Sequence, residues 1–447
     1  MSRATGRRVS QTEKPVETER RIASGRAAVL GIMVVGLTVA MLTVAGTTPR
    51  GIGRPVDNPD RVSLDQRTFS CTGGIAGTRI RNGSAGQPLR ATARVGAKPV
   101  LITEDRTVAR DAFAGQQARK GRSLAWLPCP EPQALWWFVG AGAAVNRDSV
   151  LTVTNTRTGA AVIDVDVYGD QGPVEAPGLH GITVAAGATR TFDLAEQAPA
   201  LGNLAVRVMA KRGLVVASSA ERYPLATVGA DRFEWLPPQP EPTKVVTLAG
   251  LPARPSSSAL LVVNPGQVDA VATIKVVGAT GTFVPTGVLP LRIPPGAVRM
   301  LPISSLFDGK PMALRVISQQ PVTATVRSVA ARDIAFGTGV QTIRGTTSFA
   351  IPDGSGRLVL SSLKVAAPVR FVAYDAQGRV LDRRTVAVPQ QSSVAVRLTK
   401  AMSYVQLTGD QPAVVAGFAV QGASGVASAG VSPAIQSVLL PQVRSGW

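Results

Sequence analysis

Val162-Ile163-Asp164-Val165-Asp166-Val167 alternates apolar and acidic residues one by one. On an extended strand this sets Ile163, Val165 and Val167 on one face and Asp164 and Asp166 on the other, the mark of a half-buried antiparallel sheet. Short β-branched runs separated by Gly and Pro continue outward from it. They are Val150 to Asn155, Ala161 to Tyr168, Gly181 to Val184, Ala188 to Leu194, Leu204 to Met209 and Leu214 to Ser219.

The same pattern returns further along the chain. Asn155, Gly169, Gly172, Gly178, Gly187 and Arg190 recur as Asn264, Gly278, Gly281, Gly287, Gly296 and Arg299, each pair at an offset of 264 − 155 = 109. Val206-Arg207-Val208 returns as Leu314-Arg315-Val316. A third, eroded copy is visible where Tyr374-Asp375-Ala376-Gln377-Gly378 echoes Tyr168-Gly169-Asp170-Gln171-Gly172, and Asp410-Gln411-Pro412-Ala413 echoes Gln319-Gln320-Pro321-Val322. The shared glycines read as hairpin turns.

Each copy of about 100 residues holds about seven short strands and no convincing helix, so the expected fold is all-β, in tandem immunoglobulin-like sandwiches. A β-propeller is the alternative, but its repeat of about 40 to 50 residues is not seen. The expected domains are β-sandwich repeats at 131–238, 239–345 and 346–447, preceded by a disulfide-containing module at 68–130. That module has strand-like stretches at Thr78 to Arg81, Leu89 to Val95 and Pro99 to Ile102, then a charged stretch, Thr103 to Arg122, with room for a short helix. Residues 47–67, rich in Pro, Gly, Asp and Arg, read as an irregular linker.

Residues 27–46 (AAVLGIMVVGLTVAMLTVAG) carry no charge. As a helix such a run spans the roughly 30 Å hydrocarbon core once. The basic tail 1–26, with Arg3, Arg7, Arg8, Lys14, Arg20, Arg21 and Arg26 against Glu13, Glu17 and Glu19, holds the N-terminus in the cytoplasm. A cleaved signal peptide has an apolar region of about 7 to 15 residues and a short basic lead; both are longer here. The expected location is a single-pass signal-anchor in the cell membrane, with the C-terminal bulk extracytoplasmic.

The net charge is +20, and the part beyond residue 46 keeps +16 of it (41 basic − 25 acidic). Anionic lipid headgroups or anionic envelope polymers are fitting surroundings for such a chain. Nucleic acid is not an expected partner, since no recognition motif is present. One His and two Cys leave no Cys/His zinc motif, Cys-His nucleophilic pair or multi-His centre. The expected sites are therefore none catalytic, none for a cofactor and none for a metal.

Cys71 and Cys129, both beyond the apolar run, read as one structural disulfide. Trp136-Trp137-Phe138 is the densest aromatic cluster of the chain. Neighbouring strand residues face opposite ways, so an outward Trp136 or Trp137 offers a surface for a sugar ring or a partner. The packing alternative covers one with the sandwich core and the other with the Cys71–Cys129 module. Arg106, Arg110, Arg119, Lys120 and Arg122 form a possible basic binding surface, against the alternative of a solvated loop. Asp164 and Asp166 lack the six or more oxygens of a calcium site. His180 stands alone between Gly178 and Gly181 and has Leu289 as its counterpart in the second copy. Ser355 and Ser424 lack the pattern of a nucleophile elbow.

Trp126-Leu127-Pro128-Cys129-Pro130, Trp137-Phe138-Val139-Gly140 and Leu151-Thr152-Val153-Thr154-Asn155, taken with the anchor, carry a family likeness. The chain resembles an uncharacterised family of actinobacterial single-pass envelope proteins, often encoded beside a membrane glycosyltransferase. The resemblance implies an accessory role in envelope assembly and carries over no catalytic or binding residue. The expected function is a non-enzymatic, membrane-anchored scaffold or accessory protein of a cell-envelope assembly complex, with envelope proteins as partners. A binding module for anionic or glycan polymer is the alternative, and an enzyme is a third. Three sandwiches in a row, at roughly 35 to 40 Å each, would carry a binding face well away from the membrane.

Overall fold

The alternating stretch forms the strand Ala161–Tyr168, with Ile163, Val165 and Val167 buried and Asp164 and Asp166 half-buried. It belongs to a computed structural model of the chain that describes residues 60–63, 66–93, 99–105, 111–145, 147–199, 201–223, 231–433 and 437–440. Residues 63–438 make one compact unit; a second, residues 1–62 and 439–447, has only short strand segments among its described residues. The 27–46 run lies outside the described residues, and among those described no helix is long and apolar enough to cross a membrane. The stretch expected as irregular linker holds a short strand, Asp60–Ser63, and the start of Gln66–Cys71.

The first sandwich faces two antiparallel sheets. One runs Thr189–Asp193, Arg147–Thr154, Val216–Tyr223, Arg232–Leu236; the other Pro173–Val174, Ala161–Tyr168, Leu204–Arg212, Leu135–Ala141. Leu151, Val153, Ile163, Val165, Val206 and Val208 meet between them. The third sandwich has the same plan, with sheets Gly345–Ala350, Tyr404–Gly409, Ala367–Tyr374, Val380–Val388 and Ser393–Leu398, Ser355–Ser362, Val414–Gln421, Val426–Val431. In the second, one strand of 18 residues, Ala313–Ala330, serves both sheets. Its first half pairs with Thr243–Ala249 and Ala270–Val277, its second with Ser257–Val263 and Asp333–Gly339. Gln319-Gln320-Pro321-Val322 is therefore the middle of a strand, whereas the matching 410–413 is a turn. The register with Thr243–Ala249 slips beside Pro321, where the missing N–H leaves a ladder bond unmade.

The repeat holds in three dimensions. Asn155 Nδ2 donates to the carbonyls of Gly159 (2.7 Å) and Val184 (3.0 Å), and its Oδ1 accepts from the Arg157 N–H. Asn264 does the same with Val268 (2.7 Å), Ile293 (3.0 Å) and Gly266. Gly187 and Gly296 share the same turn at φ 67° and 64°, a region that excludes most side chains. Gly296 is doubly constrained, since a Cβ there would sit 2.5 Å from Pro173 of the neighbouring sandwich.

The 66–130 module sets a four-stranded sheet (Arg90–Ala93, Arg79–Gly83, Phe113–Lys120, Ser123–Pro128) beside the pair Gln66–Cys71 and Val100–Asp105. Of the stretch Thr103 to Arg122, expected to have room for a short helix, residues 106–110 lie outside the described residues. The described part holds the end of Val100–Asp105 and the strand Phe113–Lys120, central in its sheet. Gly115 makes room there for the Trp126 ring, which a Cβ would strike.

The sandwiches do not stand in a row. The disulfide module touches both the first and the third sandwich, and the second touches the first and third, closing a circuit of four modules. One strand from each module, Ser123–Pro128, Arg232–Leu236, Asp333–Gly339 and Val426–Val431, lines the middle of that circuit.

Candidate functional site

Cys71 and Cys129 are joined, with Cα atoms 4.7 Å apart, in the core of their module beside Phe69 and Ile80. Both tryptophans are buried, which corrects their reading as an exposed binding surface. Trp136 points into the first sandwich, where its Nε1 donates to the Val215 carbonyl at 3.1 Å. Trp137 points the other way, as strand alternation requires, but meets Tyr168, Leu261, Val263 and Val298. Its cover is the second sandwich, not the disulfide module.

Arg106 and Arg110 lie outside the described residues. Arg119, Lys120 and Arg122 are exposed on the hairpin between Phe113–Lys120 and Ser123–Pro128, yet two of the three are engaged. Arg119 pairs with Asp353 of the third sandwich at 2.8 Å, and the Lys120 ammonium lies 3.8 Å from the Phe233 ring centre of the first. The structure thus places them at a module junction and brings no more of the expected basic surface together. Asp164 and Asp166 pair with Lys211 and Arg207. The Gly181 N–H, followed by Lys211, holds the Asp164 carboxyl below its usual range. His180 is exposed and caps the 3-10 turn Pro177–Leu179. No group of three or more potential metal ligands exists among the described residues.

The groups with the strongest chemistry are ones that sequence reading passed over. Glu234 and Asp333 are buried in the middle of the circuit. Glu234 Oε1 accepts the N–H of Trp126, in the disulfide module, and of its own neighbour Trp235, both at 2.9 Å. Asp333 Oδ2 accepts from Leu124 of the disulfide module (2.9 Å) and Val426 of the third sandwich (3.0 Å). One carboxylate thus ties three modules. Burial pushes the Asp333 pKa to about 6 against the pull of those N–H donors. Burial, and then the charge of Asp333, raises Glu234 well above the usual carboxylate range.

A second buried group plugs the end of the first sandwich. Glu221 accepts from Ser149 (2.6 Å) and Ser219 (2.9 Å), with the Arg147 guanidinium 3.8 Å away. Burial raises its pKa to about 7, only partly offset by Arg147. Arg147 in turn donates to the Gly202 carbonyl and Asn203 Oδ1. Ile334 and Phe336 of the second sandwich join the adjoining core.

A third joint closes the circuit. Asp353 of the third sandwich is held by Arg81, Arg119 and Gln117, and its N–H donates to Gln117 Oε1 at 2.8 Å. Tyr404 Oη donates to the Gln87 carbonyl at 2.9 Å, and burial lifts its pKa to about 12. Chemically these sites are acceptors for N–H and guanidinium donors, and each bridges chain segments distant in sequence. A cleft of about 480 Å³ runs between Pro99 and Leu101 on one side and Thr154, Thr189 and Thr191 on the other. It contains none of these ionisable groups.

Residues 89–399 match the model of a family of unknown function (DUF5719). The chain belongs to this family. No curated protein matches it. Among solved structures, the full-length RrgB pilus protein of Streptococcus pneumoniae aligns with 9% identity over 80% of this chain and 86% of that one, at a TM-score of 0.13. The infectious bursal disease virus Gx strain structure aligns with 11% identity over 87% and 85%, at 0.11.

Proposed function

We propose that this DUF5719 chain is a non-enzymatic, membrane-anchored extracytoplasmic scaffold or accessory protein of a cell-envelope assembly complex, built of immunoglobulin-like sandwiches. The observation that carries this reading is the Asp333 carboxylate, which ties three modules through backbone N–H groups. Buried polar groups of this kind fix relative position, and fixed relative position is what a scaffold must supply. The Cys71–Cys129 bridge supports an oxidising compartment. The uncharged run 27–46 and its basic lead support the anchor and the cytoplasmic N-terminus. The resemblance to actinobacterial envelope proteins encoded beside a membrane glycosyltransferase belongs to the same proposal.

Crosslinking in living cells from the external face, followed by identification of what is captured, tests the role. Reproducible capture of the same envelope proteins is expected. A second reading, a binding module for anionic or glycan polymer, is favoured by the external surplus of +16 (41 − 25); capture of polymer alone would select it. Topology has its own test: protease added to spheroplasts should remove the bulk and leave a short N-terminal stub. A mature form released from the membrane and beginning near Thr47 would overturn the anchor.

A further inference from the structure

The three sandwiches treat one sheet edge differently. In the first, the edge beside Ala161–Tyr168 is broken into Pro173–Val174 and Ile182–Val184, with the turn Pro177–Leu179 between. In the second, the edge beside Ala270–Val277 is broken into Thr282–Phe283 and Leu291–Ile293, with Pro285 and Pro290 between them. Short strands and prolines are the usual protection of an edge against pairing with another chain. The third sandwich lacks both. Beside Ala367–Tyr374 it carries a single strand of nine residues, Val380–Val388, with no proline. Among the described residues this strand pairs with nothing on its other side.

Every second residue of such a strand turns its N–H and C=O toward the open edge. Val380 and Leu381 are exposed at 44% and 45%, and Arg383 and Arg384 are exposed at its centre. Arg370, exposed on the adjoining strand, pairs with Thr385 in register, so a third cation lies on the same face as Arg383. Asp382, 3.4 Å from Arg384, is the only acidic residue of the strand.

We propose that the Val380–Val388 edge is a docking site for an extended, net acidic segment of a partner protein, which adds to the sheet as a further strand. Strand addition supplies affinity through main-chain hydrogen bonds and specificity through alternate side chains. The alternation of backbone donors and acceptors favours a peptide over a glycan, which has no matching amide ladder. Charge disfavours a second copy of this chain: two-fold antiparallel pairing about the strand centre sets Arg384 opposite Arg384, and like charges directly opposed destabilise a sheet. Carboxylates opposite Arg383 and Arg384 reverse that sign. The inference rests on the scaffold reading for its protein partner and adds the site and the partner's chemistry.

The test uses the full-length chain in detergent and a synthetic ten-residue peptide alternating Glu with Val and Thr, followed by fluorescence anisotropy and amide hydrogen exchange. Binding is expected, with exchange slowed across 380–388. The double variant Arg383→Glu/Arg384→Glu should bind about tenfold more weakly, equivalent to about 1.4 kcal/mol, and should prefer the same peptide with Lys in place of Glu. Comparison of the two peptides on the unaltered chain carries the charge test should the variant unfold. No binding, protection elsewhere, or equal binding of both peptides would overturn the proposal. So would protection of 380–388 by self-association alone. If the peptide fails while cells still yield captured proteins, the scaffold reading survives without this site. If the peptide binds while cells yield polymer alone, the scaffold reading falls and the edge stands.

Discussion

Asp333 accepts the backbone N–H of Leu124 at 2.9 Å across 209 residues of sequence. The same oxygen takes the N–H of Val426, so the carboxylate joins the disulfide module and the third sandwich to its own. Asp333→Ala would orphan both donors inside the circuit, and a buried donor left without an acceptor costs about 1 to 3 kcal/mol. Asp333→Asn keeps an acceptor oxygen and should recover part of the loss. Urea unfolding of the two variants compares them directly; an Ala variant as stable as the unaltered chain would remove Asp333 from the joint.

The buried carboxyls also set a pH dependence. Glu221 has a folded pKa of about 7 and Asp333 of about 6, each raised chiefly by burial. Between the ordinary carboxylate range and these values the folded chain binds more protons than the unfolded one, so stability falls as pH rises. Their contribution is complete below about pH 4 and lost by the time pH passes about 7. Asp164, Asp308 and Asp353 are shifted the opposite way, and what they contribute is lost as pH falls below the ordinary carboxylate range. Thermal unfolding should therefore occur at a higher temperature at pH 5 than at pH 8, and Glu221→Gln should flatten the difference. A rise in stability from pH 5 to pH 8 would contradict it.

Reduction of the Cys71–Cys129 bridge, whose ends are 58 residues apart, is expected to loosen the 66–130 module by about 4 kcal/mol on the loop-entropy relation. Amide exchange in Arg79–Gly83 and Phe113–Lys120 should accelerate on reduction. Unchanged exchange there would show that packing against the third sandwich holds the module without the bridge.

The two adjacent tryptophans should respond differently to the same change. Trp136 Nε1 has the Val215 carbonyl, whereas Trp137 Nε1 is buried without a hydrogen-bond partner. Trp136→Phe removes that hydrogen bond, leaving the Val215 carbonyl to the Gln133 N–H alone, and opens a gap in the first sandwich. Trp137→Phe opens a gap at the junction but removes an unmet donor, a loss otherwise costing about 1 to 3 kcal/mol. Denaturation midpoints should fall further for Trp136→Phe; the reverse order would mean that the second ring matters more for packing than for polarity.

Local pattern carried the strands well. Ala161–Tyr168 lies where its alternation places it, because a period of two on a half-buried sheet is written into neighbouring residues. Two turn positions followed from glycines in register, Gly172 with Gly281 and Gly187 with Gly296, since positive φ is a demand on one residue at a time. The junctions were illegible for the opposite reason: Glu234 and Trp126, or Asp333 and Leu124, meet only after the modules have packed. Single acidic residues in or at the start of a strand, as Glu234 and Asp333 are, look like ordinary surface charge. Trp137 shows the same limit, for alternation tells which way a side chain points but not that another sandwich covers it. Pro321 shows a third limit: it marks a sheet-to-sheet crossing inside one long strand, which its likeness to the turn at 410–413 does not reveal.

The buried asparagines offer the sharpest test of the repeat itself. Asn155 donates to two carbonyls and Asn264 to those of Val268, Ile293 and, at 3.3 Å, Pro294; each accepts one N–H, closing the turn after Arg147–Thr154 and after Ser257–Val263. In the third sandwich Ser362 stands at the end of the corresponding strand, and its hydroxyl reaches only the Val365 carbonyl. At about 1 kcal/mol per net hydrogen bond, Asn155→Ala and Asn264→Ala should each cost about 2 to 3 kcal/mol, and by similar amounts. Serine cannot span both acceptors in the longer turn, so Asn264→Ser should recover less than half of the loss. Ser362→Ala, breaking one bond, should cost about 1 kcal/mol. Chemical unfolding of the four variants ranks them. Equal losses for Asn264→Ser and Ser362→Ala, or a near-neutral Asn155→Ala, would mean that the turns are held by their backbones and that the repeated asparagine is not what closes them.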